Sequence, residues 1–494
     1  MKKMVDRPAS IQPMKSKIRL SILDDSDIRM IDQAALTILN EVGVYMPSEK
    51  ALKVMHETGS KVDFENKKVK IPSDIVKKFT AQAPRHFTLP ARERSELDVK
   101  LDGKSGTYCN NGGTAALAID FETNAVRPSR KEDVINAAKI VDYMPIISIC
   151  WPNVAAVAPK KNPMLHELDA CFNNTEKHVM SASILGDAGV KYALEMASIV
   201  AGGMENLKAR PLLSALTCDI SPLAHDEGGL EAIMGFANAG MPTGHMAMPI
   251  MGTTAPASQA GTLAQGLAEV LSTMVLAQII NPGCPCFMSI IPAIIDPRSG
   301  DYVYSSTSAQ IANVAAVQLA HYYGVPAYQG ASYGGSCYEL NRWQVGKENV
   351  YLPLLATLAG ADMCFSISLI GDDNIWHPAR ICFDREINEA INIIGQGVEV
   401  NGDTLAFDTI RNVGPRGHYL DKEHTANNLP KLWDFSFLFQ KSENSETKWK
   451  DLEELAWEEI RWIINNHHVP ELEPKVQSEL KQIIQAGEKE LPLS

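Results

Sequence analysis

Short apolar segments alternate with helical segments from residue 131 to residue 383, and no linker-like stretch interrupts them. Such alternation is typical of repeated βα units, whose strands form a parallel sheet. Eight units of this kind close a barrel, so the pattern predicts one (β/α)8 barrel. The predicted strands are residues 146–150, 179–182, 212–217, 244–249, 286–291, 327–330 and 363–369, with 381–383 as the eighth. The helices between them are predicted most clearly at 258–280 and 308–323.

The flanking segments have a different pattern. Residues 1–130 contain helical periodicity at 25–42, 48–57 and 73–82, a hairpin-like segment at 62–71 and short strands between 87 and 127. Residues 401–494 end in an acidic helical tail, in which we expect the adjacent His467 and His468 to be solvated. We therefore predict an α/β fold: an N-terminal helical and strand extension over 1–130, a TIM barrel over 131–400 and a C-terminal helical tail over 401–494. A doubly wound open sheet is the alternative, but no GxGxxG follows the first predicted strand.

Composition excludes several classes of partner. The net charge is -13 and no Lys/Arg cluster occurs, which argues against nucleic acid. Apolar runs are broken before they reach membrane-spanning length, and the basic N-terminus is followed by no apolar core, so we expect a cytoplasmic protein without membrane association. The nine cysteines show neither CxxC nor Cys/His finger spacing, so we expect reduced core thiols and no metal site.

Residues 324–348 have the pattern of a strand, a glycine-rich loop and a helix at one corner of the barrel. Gly330, Gly334 and Gly335 let the backbone approach a ligand closely, while Tyr328 and Tyr333 set aromatic faces around the loop. A bulky or cationic ligand suits such a loop. The alternative is a surface turn whose aromatic side chains pack inward. A second loop, at 110–113, either reaches an active site or is a plain hairpin turn.

Several sequence blocks resemble the trimethylamine:corrinoid methyltransferase superfamily, and the resemblance covers nearly the whole chain. The blocks are GTTAPASQAGTLAQGLAEVLSTMVLAQIINPGCPC, QLAHYYGVP, ENVYLPLLATLAGADM, GPRGHYLDKEHT and IDQAALTILNEVGV. The resemblance implies a (β/α)8 barrel whose site lies at the carboxyl ends of the strands. This agrees with the alternation of βα units.

One departure from the family pattern points to a particular branch. The founding members carry pyrrolysine in the loop after strand six, where this chain has the ordinary residues SCYE at about 336–339. The chain is therefore similar to the non-pyrrolysine branch, typified by glycine betaine:corrinoid methyltransferases. The resemblance implies demethylation of a quaternary amine by transfer of a methyl group to cob(I)alamin on a separate corrinoid protein. We expect no tightly bound cofactor, because the chain lacks a DxHxxG-type cobalamin signature.

Candidate substrate-binding residues follow from this chemistry. Aromatic faces hold quaternary ammonium groups, and a cation or backbone donor would hold a betaine carboxylate. The aromatic candidates are Tyr328, Tyr333, Phe365 and Trp376; the carboxylate candidates are His377, Arg380 and His245; Tyr108 and Asn110 would close the mouth; and Gly330, Gly334, Gly335 and Ser336 would face the corrinoid. Core packing is the alternative for each aromatic residue, and a structural hydrogen bond is the alternative for each histidine.

Other functions stay open at this stage. Glycine betaine is the first candidate substrate, with proline betaine, carnitine and γ-butyrobetaine as alternatives. A non-catalytic betaine-binding protein would show the same aromatic pocket. A lyase or aldolase on the same barrel would need a Schiff-base lysine or a carboxylate metal cluster at the strand ends, and neither is evident. We expect a homo-oligomer.

Overall fold

Helices and short strands alternate in the N-terminal region of the computed structural model, which describes residues 4–152, 154, 162–329, 342–364, 367–371, 373–432 and 451–491. The elements of this region are α1 Asp25–Thr37, a π-helical turn Ile38–Val42, β1 Val44–Tyr45, α2 Glu49–Glu57, β2 Lys61–Asp63, β3 Lys68–Lys70, α3 Ser73–Thr80, β4 Phe87–Leu89, a 3-10 turn Ser95–Leu97 and β5 Val99–Leu101. The three predicted helices and the hairpin are confirmed. Asp24 caps α1 by accepting bonds from the backbone N–H groups of Ser26 and Asp27.

Strands and helices alternate from residue 108 to residue 396. They are β6 Tyr108–Asn110, β7 Leu117–Ile119, β8 Val126–Pro128, α4 Lys131–Tyr143, β9 Ile147–Cys150, α5 Pro163–Asn174, β10 His178–Ser181, α6 Gly186–Val200, α7 Met204–Ala209, β11 Leu213–Cys218, α8 Glu227–Ala239, β12 Thr243–Ala247, β13 Ile250–Met251, α9 Gln259–Ile280, β14 Cys286–Ile290, β15 Ala293–Ile295, β16 Tyr302–Val303, α10 Thr307–Tyr322, α11 Arg342–Ala359, β17 Met363–Cys364, β18 Leu369–Ile370, β19 Ile375–Trp376 and α12 Arg380–Gln396.

Eight parallel segments close into a ring. Strand β6 pairs with β9, and β10, β11, β12 and β14 follow in chain order. Parallel bridges from Met288 to Ala327 and from Tyr328 to Met363 continue the ring, and β17 pairs back with β6. The fold is therefore the predicted (β/α)8 barrel.

The first and eighth strands differ from the sequence-based assignment. Residues 381–383, predicted as the eighth strand, lie inside α12, where Ile381 and Cys382 form part of a buried helix face. The eighth strand is β17, within the predicted segment 363–369, whose end instead forms β18 and pairs with β19 outside the ring. The first strand is β6, which lies within residues 1–130. The division of the chain into units at 130 and 400 stays a prediction.

The barrel interior is filled by alternate residues of the strands. Phe287, Leu216 and Met180 pack there with Tyr108 and Met363. The N-terminal end of the barrel is closed by the β4–β5 hairpin, which adds its apolar residues to the same cluster. His178, a deep polar residue, lies within hydrogen-bond distance of Pro90 O and Ser214 Oγ. A filled interior with a closed base leaves the carboxyl ends of the strands as the open end.

Helix α9 is long and apolar enough to cross a membrane by length and composition. In this fold it is a core helix: residues from Thr262 to Gln278 are buried, and it packs against α8, α10, β12 and β14. Its predicted bounds, 258–280, are confirmed, as is α10 at the predicted 308–323.

Two helices of the C-terminal segment pack on the outside of the barrel. The helices of this segment are α13 Gly402–Leu405, α14 Phe407–Val413, α15 Glu423–Leu432, α16 Leu452–Asn466 and α17 Pro474–Glu490. Helix α16 packs on α4 and α12, and α17 packs on α5 and α6. Trp457 is buried in this contact, as its helical spacing indicates.

His467 anchors the end of α16, contrary to the sequence-based view that the pair at 467–468 is solvated. His467 is buried between Asp142 and Asp6, with its Nε2 3.0 Å from Asp142 Oδ2 and its Nδ1 2.7 Å from Asp6 Oδ1. Only His468 is exposed. The expectation was wrong for His467 because the carboxylates that bind it come from distant parts of the sequence.

Candidate active site

Asn110 and Tyr328 meet at the open end of the barrel. Asn110 is the last residue of β6, and Tyr328 lies in the segment that bridges β14 and β17. The Asn110 Nδ2 group donates a 2.6 Å hydrogen bond to Tyr328 Oη, and both side chains are buried. The ring of Tyr328 stands edge-on to Phe287 below it, with ring centroids 5.7 Å apart. Two of the residues predicted for the site are therefore brought into direct contact.

Soft apolar and aromatic groups surround this pair. At the mouth, six of the barrel strands end in an inward-facing residue. These residues are Asn110, Trp151, Ala182, Cys218, Met248 and Ile291. Tyr304 lies beside them, with its Oη 3.7 Å from Met248 Sδ. None of these side chains carries a formal charge, so this part of the mouth has the character of a polarizable, weakly polar surface.

Cys218 lies on the wall of a recess. Its thiol is accessible to solvent, yet burial, with a smaller contribution from Asp219, raises its pKa to about 12. Both observations hold together for a side chain that is enclosed by protein but faces an internal space. Its Sγ lies 3.8 Å from Met246 Sδ. The sulfur atoms of these two residues thus belong to one wall of the mouth.

The loop after β6 is held rigidly at the mouth. Asn111 exchanges two 2.8 Å hydrogen bonds with the backbone of Trp151, accepting from its N–H and donating to its carbonyl. Asn110 Oδ1 accepts from Gly112 N at 2.9 Å. Gly113 has a φ of 86°, and a Cβ there would lie 2.5 Å from Leu369. The loop is therefore held by buried contacts at the open end of the barrel, where β6 ends.

A chain of buried polar groups begins just beyond β11, and the sequence analysis missed it. Asp219 Oδ1 lies 2.8 Å from His225 Nδ1, whose ring continues to Ser272 Oγ through Nε2 at 2.8 Å. Glu269, one helical turn before Ser272, accepts from Ser221 Oγ at 2.7 Å and from Leu223 N at 2.8 Å. Only the place of Asp219, directly after a predicted strand, could have drawn attention to it in the sequence.

Burial raises the pKa of Glu269, and the hydrogen bonds from Leu223 and Ser221 only partly oppose it. This network fixes the turn that follows Cys218, so it supports the wall of the mouth from behind.

Trp376, His377 and Arg380 lie together at a different place, against the C-terminal helices. Trp376 packs edge-on to Phe121 at 5.9 Å, and the His377 ring is 5.6 Å from Trp457. Burial, with a contribution from Arg380, lowers the pKa of His377 to about 4, so this imidazole is neutral near pH 7.

Arg380 is held within its own helix region. Its Nη1 donates to Leu369 O at 2.7 Å, and its Nε is 3.5 Å from Asp384 Oδ1. Trp376 belongs to the apolar core shared with the helices and not to the interior cluster that holds Tyr328. The structure therefore does not bring these three residues to the Asn110–Tyr328 pair.

The remaining predicted residues occupy three kinds of position. Tyr108 lies in the barrel interior, two residues below Asn110. His245 is on the outward face of β12, with its Nε2 3.1 Å from Thr243 Oγ1. Tyr333, Phe365, Gly330, Gly334, Gly335 and Ser336 lie outside the described residues. Of the carboxylate candidates, none is part of the described mouth.

Comparisons with known proteins agree on one family. A family model described as "Trimethylamine methyltransferase (MTTB)" matches residues 2–492. Trimethylamine methyltransferase MttB of Desulfitobacterium hafniense (strain DSM 10664 / DCB-2) is 30% identical over 441 residues, which is 87% of each chain. Glycine betaine methyltransferase of Desulfitobacterium hafniense (strain Y51) is 29% identical over 438 residues, 88% of this chain and 90% of that one.

Among solved structures, the monomethylamine methyltransferase MtmB of Methanosarcina barkeri is similar at 12% identity with a TM-score of 0.46, over 96% of this chain and 95% of that chain. The family match extends over almost every residue, from the N-terminal extension through the barrel to α17. The resemblance seen in the sequence is confirmed: the chain belongs to the trimethylamine methyltransferase (MTTB) family.

Proposed function

We propose that this protein demethylates a quaternary amine, with glycine betaine as the first candidate, and passes the methyl group to cob(I)alamin carried by a separate corrinoid protein. The observation that carries the proposal is the barrel mouth. An uncharged polar pair, Asn110 and Tyr328, is surrounded there by thioethers and by aromatic side chains. Such a surface suits a fixed cation with an apolar outer shell of methyl groups.

The chemistry of the substrate explains why neutral groups are sufficient. A quaternary nitrogen carries a permanent charge, so loss of one methyl group leaves a neutral tertiary amine and no proton has to be supplied. Burial raises the pKa of Tyr328 far above its ordinary value, while the bond from Asn110 opposes this only in part. The phenol therefore stays protonated. A buried carboxylate would stabilise the substrate cation more than the transition state, in which that charge is dispersed.

Aromatic and thioether groups supply the remaining attraction. A cation over an aromatic face gains about 0.5 to 2 kcal/mol, and Trp151 and Tyr304 offer such faces in the mouth. The Asn110–Tyr328 pair would fix the orientation of the substrate from one side. Rigid support of the loop by Asn111 keeps the pair in place, and a closed barrel base excludes water from below. The role proposed for this chain is to position the substrate and to exclude water from it.

A corrinoid protein that carries cob(I)alamin would supply the nucleophile. The mouth fits this arrangement, because its described walls are weakly polar and it opens at the carboxyl ends of the strands, where a partner can approach. None of the eight cysteines among the described residues forms a disulfide, in keeping with a reducing compartment, and we place the reaction in the cytoplasm.

Ordinary residues at 336–339 support a quaternary amine over trimethylamine. Without the imine of pyrrolysine, a tertiary amine would have weak binding and a poor leaving group. The relatives named for trimethylamine and for glycine betaine are nearly equally similar to this chain, at 30% and 29% identity, so similarity alone does not decide between the two substrates.

The test is a substrate screen with the purified protein and cob(I)alamin, read as the spectral conversion to methylcobalamin. We expect conversion with glycine betaine and none with trimethylamine. Asn110→Ala should slow the reaction, whereas Asn173→Ala, which removes a hydrogen bond to Asp169 on α5 outside the mouth, should not. Conversion with trimethylamine but with no betaine would overturn the proposal.

The same screen separates the alternatives. Conversion with proline betaine, carnitine or γ-butyrobetaine alone would keep the reaction and change the substrate. Binding of glycine betaine without any conversion, in the presence of active corrinoid protein, would identify a non-catalytic betaine-binding protein.

A further inference from the structure

The C-terminal arm, residues 397–432, makes no core contact of its own. It contains α13, α14 and α15, and none of its residues is buried. Helix α12 before it and α16 after it both bury one face in the protein. Short helices without a buried face are marginal in water, because most of the stability of a helix comes from packing. The arm therefore needs a surface that the rest of the described chain does not give it.

The exposed side chains of the arm are strongly apolar. Val398 and Leu420 are each 87% exposed and Leu432 is 76% exposed, and Val400, Phe407 and Leu405 are at least 60% exposed. Ile393 and Ile394 continue this surface onto the end of α12. Single exposed apolar residues are ordinary, but so many within one short segment mark a surface that binds another protein.

The position of the arm argues against the corrinoid protein as its partner. Helix α12 ends at the N-terminal face of the barrel, where Lys17 N donates to Gly395 O at 2.7 Å. Met14, three residues from Lys17, pairs with Thr107, directly before β6. The arm thus leaves the barrel at the end opposite Asn110. A methyl acceptor has to reach the mouth, so a different partner covers the arm.

The charge of the arm favours a second copy of this chain. The whole protein has a net charge of -13, so most of its surface repels another copy. The arm has five acidic and four basic residues and is nearly neutral. A symmetric contact, in which the same surface of both copies meets, would bury the apolar side chains without bringing net charges together. Such a contact also leaves both mouths open.

We propose that the C-terminal arm is the surface through which two copies of this chain pair. A stable interface commonly takes about 20 to 30 residues from each side, and the arm with the end of α12 supplies a surface of that size. The pairing holds the arm helices in place. It goes beyond the proposed methyl transfer and does not depend on it.

The first test compares oligomeric state among three proteins by light scattering after size exclusion. Wild type should have at least twice the monomer mass. The double variant Phe407→Glu and Leu420→Glu should shift to the monomer mass, because two new carboxylates would face each other across the contact. Met30→Glu replaces an equally exposed apolar residue on α1 and should keep the wild-type mass. Circular dichroism checks that each variant is folded.

Hydrogen exchange on the wild type keeps the proposal testable even if the variant does not fold. Amide protons of residues 402–432 should be protected at micromolar concentration and lose protection on about hundredfold dilution, as mass action requires. A wild type that is monomeric at micromolar concentration would overturn the proposal. So would a folded double variant of wild-type mass, or an arm that becomes protected only when the corrinoid protein is added.

Discussion

The hydrogen bond from Asn110 Nδ2 to Tyr328 Oη joins two residues that lie 218 positions apart in the chain, across the seam where the ends of the barrel meet. It is buried, and the same Nδ2 group also lies 4.0 Å from Met180 Sδ. The bond therefore has a structural role, closing the mouth at one point, and it lies where we propose a substrate contact. These two roles can be separated by experiment.

Tyr328→Phe should weaken both substrate binding and stability. Loss of the hydroxyl leaves the Asn110 amide without its 2.6 Å partner, at a cost of about 1 to 3 kcal/mol in the free energy of unfolding. If the pair also orients the substrate, we expect KM for glycine betaine to rise about tenfold, equivalent to ~1.4 kcal/mol. Steady-state kinetics and urea unfolding measure the two effects.

Tyr192→Phe is the control for this change, because its hydroxyl bonds Glu490 on the outside of the barrel. It should leave KM unchanged. If Tyr328→Phe lowers stability and leaves both kcat and KM at wild-type values, the pair is structural only.

Gly244→Ala should disrupt the barrel interior. A Cβ at this position would lie 2.3 Å from the ring of Phe287 and 2.4 Å from Leu216, and neither neighbour is a flexible chain end. Overpacking of this kind costs about 1 to 3 kcal/mol in unfolding free energy. Gly346→Ala in α11 has no atom within 4 Å of the new methyl group and should be neutral or stabilising. Equal denaturation midpoints for the two variants would contradict the packing argument.

The anchor at His467 should make stability fall as pH rises above about 6.5. Burial opposes protonation of this imidazole, but the carboxylates of Asp142 and Asp6 outweigh it and raise the pKa of His467 above 6.5. A raised pKa in the folded state contributes stability that is fully present below about pH 6.5 and is lost as pH rises through the folded-state value. Urea unfolding across this range should show the decline.

His467→Asn should flatten that dependence, since it removes the titrating group. His468→Asn, which changes an exposed neighbour, should keep the wild-type slope. A wild-type profile that is flat or rises from pH 6.5 upward would show that the ion pair with Asp142 does not form.

His377→Gln should reduce stability without affecting KM for glycine betaine, because the imidazole packs on Trp457 and lies apart from the mouth. The lowered pKa, about 4, has a second consequence. The unfolded chain binds a proton that the folded imidazole does not, so this residue should make the wild type less stable as pH falls from about 6.5 toward 4. A raised KM with unchanged unfolding would instead support the sequence-based assignment of His377 to the substrate carboxylate.

The alternation of apolar strands and alanine-rich helices was sufficient to predict the barrel, because period and length distinguish α9 and α10 clearly from the strands. It could not identify β6. Strand β6 has only three residues, Tyr108–Asn110, and all are buried, so it shows no alternation of apolar and polar residues. Its partner β17 is 255 positions away. The segment 381–383 was misassigned for the same reason: three residues of an apolar helix face look like a short buried strand.

The sequence could predict site residues only where it correctly placed the end of a barrel strand. Asn110 and Tyr328 were candidates because each was placed near a loop at the mouth, and the structure brings them together. Trp376 and His377 also follow a predicted strand, but their strand lies outside the ring, against Phe121 and α16. The Asp219–His225–Ser272 chain depends on contacts between the loop after β11 and helix α9, which no local pattern reveals.

Closure of the ring through β17 and β6 sets a condition on synthesis of this protein in the cell. Strand β6 leaves the ribosome early, yet one of its two neighbours follows only after about 250 further residues have been made. At roughly 5 to 20 residues per second, one edge of the nascent sheet stays unpaired for roughly 10 to 50 s. Apolar, unpaired edges are prone to associate with other chains. The nascent chain thus depends on protection of that edge, by a chaperone or by its own N-terminal helices, until the last strand arrives.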